Sequence, residues 1–200
     1  MYRLSFDCGT KHLGVSLCCQ HADLPKHNLN KSFLKLKVKK LPITLLDIQS
    51  IDLSLYTKKA EKNTSYNISL IKQLHTALTT AIVLPVDVTP ENMVVYIEFQ
   101  MLQNQKTRMI QSALCMFYAL YPMVIVKPTL KNRIYFHKKL THTEYIRKYA
   151  TSKSANKKHC ESNLKYYCDK TGFDYSAITA KLDDPADAFM QWIAYEIHHG

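Results

Sequence analysis

Apolar and polar residues alternate from the start of the chain. Leu4, Phe6 and Cys8 fall on one side and Arg3, Ser5 and Asp7 on the other, the two-residue period of a half-buried strand. Gly9 and Thr10 mark a turn, after which Leu13, Val15 and Leu17 resume the alternation, so the opening reads as a hairpin. A third strand is predicted at 33–39, where Leu34, Leu36 and Val38 alternate with Lys35, Lys37 and Lys39. Residues 41–63 carry apolar runs at 43–48 and 51–55 and then a polar stretch that reads as a loop; the pattern assigns them no element. Ile68, Ile71, Leu74, Leu78 and Ile82 recur at helical spacing and predict a helix over 65–84. Pro85 and Pro90 break the chain before Met93–Glu98, a short apolar run that fits a strand buried on both faces and hence parallel neighbours. A helix at 103–121, a strand at 123–127, helices at 141–150 and 154–170, and a last helix at 184–198 complete the pattern. The last helix carries the stripe Phe189, Met190, Ile193 and Ile197.

This order predicts one α/β domain over 1–200, a mixed five-stranded sheet with helices on both faces, with an elaboration at 22–63. Two hundred residues suffice for one well-cored domain. Lysine and arginine number 27 against 16 acids, a net charge of +11, which points to a polyanionic partner, most simply nucleic acid. Ten of those cations lie in residues 131–165, where only two acids occur. A membrane partner is not expected, since no apolar run approaches the roughly 20 residues of a span. The opening strand pattern leaves no room for a signal peptide, so an intracellular protein is expected. The six cysteines contain no Cys-x-x-Cys pair. They read as reduced thiols rather than a structural zinc site, although His159, Cys160 and Cys168 lie close in sequence.

The acids carry the candidate chemistry. Asp7 ends a strand just before a glycine turn, where a turn-forming role is the simpler reading. Glu98 closes an apolar run and needs a cation or donors if buried; Lys106 or Arg108 on the next helix could supply a salt bridge, or a metal could. Asp184, Pro185 and Asp187 have the grammar of a helix start, with Asp184 as N-cap. Asp183 beside them exceeds what capping requires, and acids three apart share one side of the first turn. Acids from three distant segments, set within a basic chain, point to a divalent-metal site in a nuclease.

Three stretches resemble the RuvC-like Holliday junction resolvases of the RNase H superfamily, in particular the branch of poxviruses and other large DNA viruses. Residues 4–14, with Asp7, Gly9 and Gly14, are similar to the family's first-strand motif. Residues 94–100, with Glu98 and Gln100, are similar to its second, and 181–188, with Asp184 and Asp187, to its acidic box. The resemblance implies an RNase H-like fold and magnesium-dependent resolution of four-way DNA junctions by paired nicks. Two magnesium ions, replaceable by manganese, would be held by Asp7, Glu98, Asp184 and Asp187. It implies a catalytic lysine, here Lys157 or Lys158 with Lys153 in reserve. Gln100 would support the site or position the cut strand. Lys35, Lys37, Lys39, Lys138, Lys139 and Lys153 would hold the DNA arms. A homodimer is also implied, with Met109, Ala113, Met116, Phe117 and Leu120 offering a dimer face that core packing explains equally well. For a viral protein the place of action would be the host cytoplasm. Other nucleases of the superfamily, acting on RNA–DNA hybrids, flaps or duplex, remain open. So does an actin- or sugar-kinase-like ATPase, because Asp7, Gly9 and Gly14 also resemble a phosphate loop.

Overall fold

A computed structural model of the chain describes residues 1–56, 66–136, 153–176, 178 and 181–200. The predicted helix at 141–150, together with Lys138 and Lys139, lies outside them. The central sheet is built from β1 (Tyr2–Asp7), β2 (His12–Gln20), β4 (Ile43–Asp52), β5 (Met93–Glu98) and β6 (Met123–Val126), in the order β4-β2-β1-β5-β6. The hairpin pairs β1 antiparallel to β2, β4 pairs antiparallel to β2, and β1, β5 and β6 run parallel. A separate two-stranded piece joins β3 (Leu34–Lys35) to β7 (Ile134–Tyr135).

The strand expected at 33–39 is thus a correction. Only Leu34 and Lys35 pair, Val38–Lys40 turn as a 3-10 helix, and the unassigned 43–52 is the strand that extends the main sheet. The alternation at 34–39 does report burial, since Leu36 and Val38 are buried while Lys35, Lys37 and Lys39 are exposed. What it does not report is which partner strand accepts the backbone hydrogen bonds.

Four helices are described: α1 (Tyr66–Ala81), α2 (Gln105–Phe117), α3 (Lys153–Thr171) and α4 (Asp183–His199). Strand alternation sorts the core into two layers. Leu4 and Phe6 of β1, Val95 and Ile97 of β5, and Leu70, Leu74, Ile110 and Leu114 of α1 and α2 fill one face. Tyr96, with Phe189, Trp192, Ile193 and Ile197 of α4 and Leu164 and Tyr167 of α3, fills the other. Full burial of each such side chain contributes about 1.5–3 kcal/mol. Even residues of β5 and odd residues of β1 therefore point towards α4, and this sets the directions of Asp7 and Glu98.

Helix α4 lies close against β1 and β2. Gln191 Nε2 donates to Ser5 Oγ at 2.7 Å and to the Phe6 carbonyl at 2.8 Å, while Arg3 pairs with Glu196 at 3.4 Å and Tyr96 donates its hydroxyl to Glu196. At the other end of the helix, Gly14 is what admits it. A Cβ on Gly14 would collide with the Asp184 carbonyl and stand 2.8 Å from Pro185 N. Backbone on both sides leaves nothing able to move aside, so glycine is required for the close approach. Gly14→Ala is expected to cost about 1–3 kcal/mol by overpacking, read as a lowered urea midpoint with an unchanged slope.

Candidate active site

Strand register brings the first two acids together. Phe6 is paired with Ile97 in parallel β1 and β5, so Asp7 and Glu98 follow as neighbours at the carboxyl ends of those strands, both on the α4 side. Docking of α4 through Gly14, itself the register partner of Asp7, then delivers the first turn of α4 to the same end. Asp187 is buried there.

The cation for this cluster comes from an unexpected place. Lys131, in the 3-10 helix Leu130–Arg133 just after β6, is 5% exposed. Its Nζ donates to Glu98 Oε1 at 2.9 Å and lies 2.8 Å from Asp187 Oδ2. Lys106 and Arg108, the cations expected for Glu98, are exposed on α2 instead. Burial alone would drive the proton off Lys131, but Asp187, Asp7 and Glu98 together hold its pKa well above the ordinary lysine value. A signal for it existed in the sequence. A lysine five residues past a parallel strand falls at the carboxyl-end rim of the sheet, where such folds place their sites.

Three carboxylates around one ammonium leave two negative charges without a partner. That deficit shows in the pKa values of the acids. Burial, with Glu98 and Asp187 adding to it and Lys131 opposing, pushes Asp7 well above the usual carboxylate range. Burial would raise Glu98 too, but Lys131 and hydrogen bonds from Asp7, Lys131 and Gln100 hold it below the ordinary glutamate value. Gln100 is buried and donates to Glu98 Oε2 at 2.9 Å, and its own backbone N–H is held by Gln111 Oε1 at 2.9 Å. It therefore touches Glu98 and fixes its direction.

Asp184 sits at the same end of the sheet with different company. Lys157 lies 2.5 Å from Asp183 and 3.3 Å from Asp184. Lys157, one of the lysines expected to be catalytic, is thus held by acids, which raise its pKa against the opposing effect of burial. The expected N-cap is also corrected: α4 starts at Asp183, Leu182 is its N-cap, and no side chain caps it. Asp183 and Asp184 instead place negative charge in the first turn, where the helix dipole favours it. Lys158 is exposed, and the side chain of Lys153 lies outside the described residues. Lys35, Lys37 and Lys39 are exposed on the segment whose Leu36 N–H bonds the Tyr135 carbonyl at 2.9 Å, beside the stretch that carries Lys131.

The acids of the cluster offer carboxylate oxygens, with the buried Cys160 thiol beside Asp187, and Asp187 Oδ1 is buried without a hydrogen-bond partner. That donor set and its charge deficit suit a hard divalent cation. Among the described residues no group of three histidine, cysteine or acidic side chains is closed to metal-ligand spacing; the Lys131 ammonium stands between Glu98 and Asp187. The phosphate-loop alternative loses its footing, because Gly14 is covered by α4 rather than open to a nucleotide.

In fold the chain is similar to RuvC of Thermus thermophilus, with a TM-score of 0.50 at 13% sequence identity over 98% of this chain and 94% of that one. T. thermophilus RuvC in complex with Holliday junction substrate matches with a TM-score of 0.50 at 12% identity over the same shares. The fowlpox virus resolvase, in complex with substrate Holliday junction DNA, matches with a TM-score of 0.46 at 17% identity over 98% and 97%. No protein-family model and no curated protein matches. The chain thus has the RuvC-like, RNase H-type fold.

Two outcomes test the electrostatics. Lys131→Met strands Glu98 and Asp187 and is expected to cost about 3–5 kcal/mol at neutral pH, measured by denaturant unfolding in chelator. A raised Asp7 pKa favours folding below the ordinary aspartate value, and that contribution is lost as pH rises through the folded value. In chelator the Asp7 contribution is therefore expected to fall away as pH rises above the ordinary aspartate value of about 4. Asp7→Asn should remove that loss and melt higher at neutral pH, by ~2–4 °C per kcal/mol relieved.

Proposed function

We propose that the chain is a structure-selective endonuclease that resolves four-way DNA junctions by paired, magnesium-dependent phosphodiester hydrolysis. The observation that carries this reading is the gathering of half-buried Asp7 and Glu98 and buried Asp187 around the buried Lys131, at the carboxyl ends of parallel strands in a RuvC-like fold. Support for the substrate comes from T. thermophilus RuvC, whose structure was determined with a Holliday junction, and from the net charge of +11.

Asp7, Glu98 and Asp187 would hold the metal, with Asp184 joining them, and manganese could replace magnesium. When bound, such ions stabilise charge on phosphoryl oxygens and make a water more acidic. The chain's own groups do the rest. Gln100 holds Glu98 in one orientation, so the ligand is set before substrate arrives. Lys131 keeps a positive charge among the ligands, where it can offset charge growing on the phosphate. Lys157 is a second cation beside the first turn of α4. The exposed Lys35, Lys37 and Lys39, with the basic stretch that includes Lys138, Lys139 and Lys153, would hold DNA arms through phosphates, making binding salt-dependent.

Paired nicks need two sites, and a junction's two-fold symmetry matches a two-fold dimer. Core-facing positions of α2 are Ile110 and Leu114, whereas Met116 and Leu120 are 80% and 83% exposed. They continue into Phe117 and the exposed Met123 and Ile125 of edge strand β6. An apolar patch of this kind, along a strand that is an edge of the sheet among the described residues, favours a second copy as its cover. No helix among the described residues is long and apolar enough to cross a membrane.

The test is cleavage of an immobile four-way junction beside an RNA–DNA hybrid, a flap and a linear duplex, with and without magnesium. Symmetric junction nicks are expected; equal or better cutting of another substrate would assign a different nuclease activity. Asp7→Asn and Glu98→Gln should lower cleavage by at least about 100-fold, with ΔΔG‡ near 2.7 kcal/mol, and retain junction binding in gel shift. Leu120→Asp should give a monomer by sedimentation and uncouple the two nicks.

A further inference from the structure

His159 and Asn163 are 1% and 2% exposed, one turn apart on α3, and the site as described uses neither. Asn163 Oδ1 accepts the Phe136 N–H at 2.6 Å. Its Nδ2 donates to the His159 main-chain carbonyl at 2.9 Å and lies 3.0 Å from ring Nδ1. The ring also hydrogen-bonds the main chain at Ile134 and Lys131, which opposes the burial that lowers its pKa to about 4, so the imidazole is neutral. Residues 131–136 are therefore gripped by α3 at Lys131, Ile134 and Phe136.

That segment cannot hold itself. It consists of one 3-10 turn and a two-residue strand whose partner β3 is equally short, and such pieces are marginal without tertiary support. Yet its first residue must keep an ammonium within 2.9 Å of two carboxylates. We propose that His159 and Asn163 are positioning residues, a clamp that sets the backbone of Lys131 so that its ammonium falls between Glu98 and Asp187. The inference rests on reading the acid cluster as the hydrolytic centre. In sequence, Asn156–His159 was the stretch expected to supply a catalytic lysine. The same stretch also carries a histidine that acts through the lysine of another segment.

The experiment compares full-length wild type, His159→Leu and His159→Gln, the last retaining a neutral donor. Two readouts are taken: single-turnover cleavage of the immobile junction in magnesium, and mass-spectrometric amine acylation of Lys131 in metal-free protein, with Lys158 as internal reference. The expected result for His159→Leu is cleavage slowed by about 10–100-fold, as for loss of an outer partner of a metal site. Junction affinity should stay unchanged, and Lys131 should become more reactive relative to Lys158. Recovery of both readouts in His159→Gln is also expected. Unchanged Lys131 reactivity in His159→Leu, or equal defects in both variants, would overturn the clamp. A wild type that cuts no junction removes the proposed function only, and Lys131 labelling then decides the clamp by itself. Should His159→Leu fail to fold, Asn163→Leu against Asn163→Asp takes its place with the same criteria at Lys131.

Discussion

The contact of Lys131 with Glu98 and Asp187 is the constraint on which the rest of the molecule turns. Carboxylates taken out of water repel one another and lose hydration. Asp7, Glu98 and Asp187 arrive from a first strand, a middle strand and the last helix, and one buried ammonium at 2.8–2.9 Å makes their meeting tolerable. It does not neutralise them fully. Burial, with the neighbouring carboxylates adding to it, raises the Asp7 pKa, and an oxygen of Asp187 has no hydrogen-bond partner, so the site is folded but electrostatically incomplete, a state that favours cation binding.

Several features away from the acids exist to keep this geometry. Gly14 lets the first turn of α4 touch β2. Gln191 ties α4 to the end of β1, and the Arg3–Glu196–Tyr96 group ties its far end. The last two are polar contacts on the α4 face of the sheet, whereas the opposite face is filled by apolar side chains, those of α1 and α2 among them. Polar contacts are directional and fix register; apolar packing supplies most of the stability but tolerates sliding. The sheet has its fixed face towards the chemistry and its oily face away from it.

Hydrophobic period, turn residues and acid positions were legible in the sequence. Alternation at 2–8 placed Asp7 opposite Leu4 and Phe6, the apolar run at 93–98 implied parallel neighbours, and the helices at 66–81, 105–117 and 183–199 lie close to their predicted bounds. These features depend on interactions between residues near in sequence, or on burial, which any core would impose. The pattern misplaces a strand at 33–39 and assigns none to 43–52, because a strand's identity depends on its partner. Leu34–Val38 has the better alternation, yet the vacant edge of β2 is taken by 43–52.

The sequence by itself determined the α/β order, the basic surface, and that acids would stand at the ends of strands and at a helix start. Only the tertiary structure decided which acids meet, which lysine lies among them, and that Asp184 is held by Lys157 rather than by the central cluster. The physical reason is range. Periodicity and capping act over a few residues, whereas a buried charge is settled by whichever opposite charge the folded backbone brings within about 4 Å, and the chain separation between Glu98, Lys131 and Asp187 carries no trace of that distance.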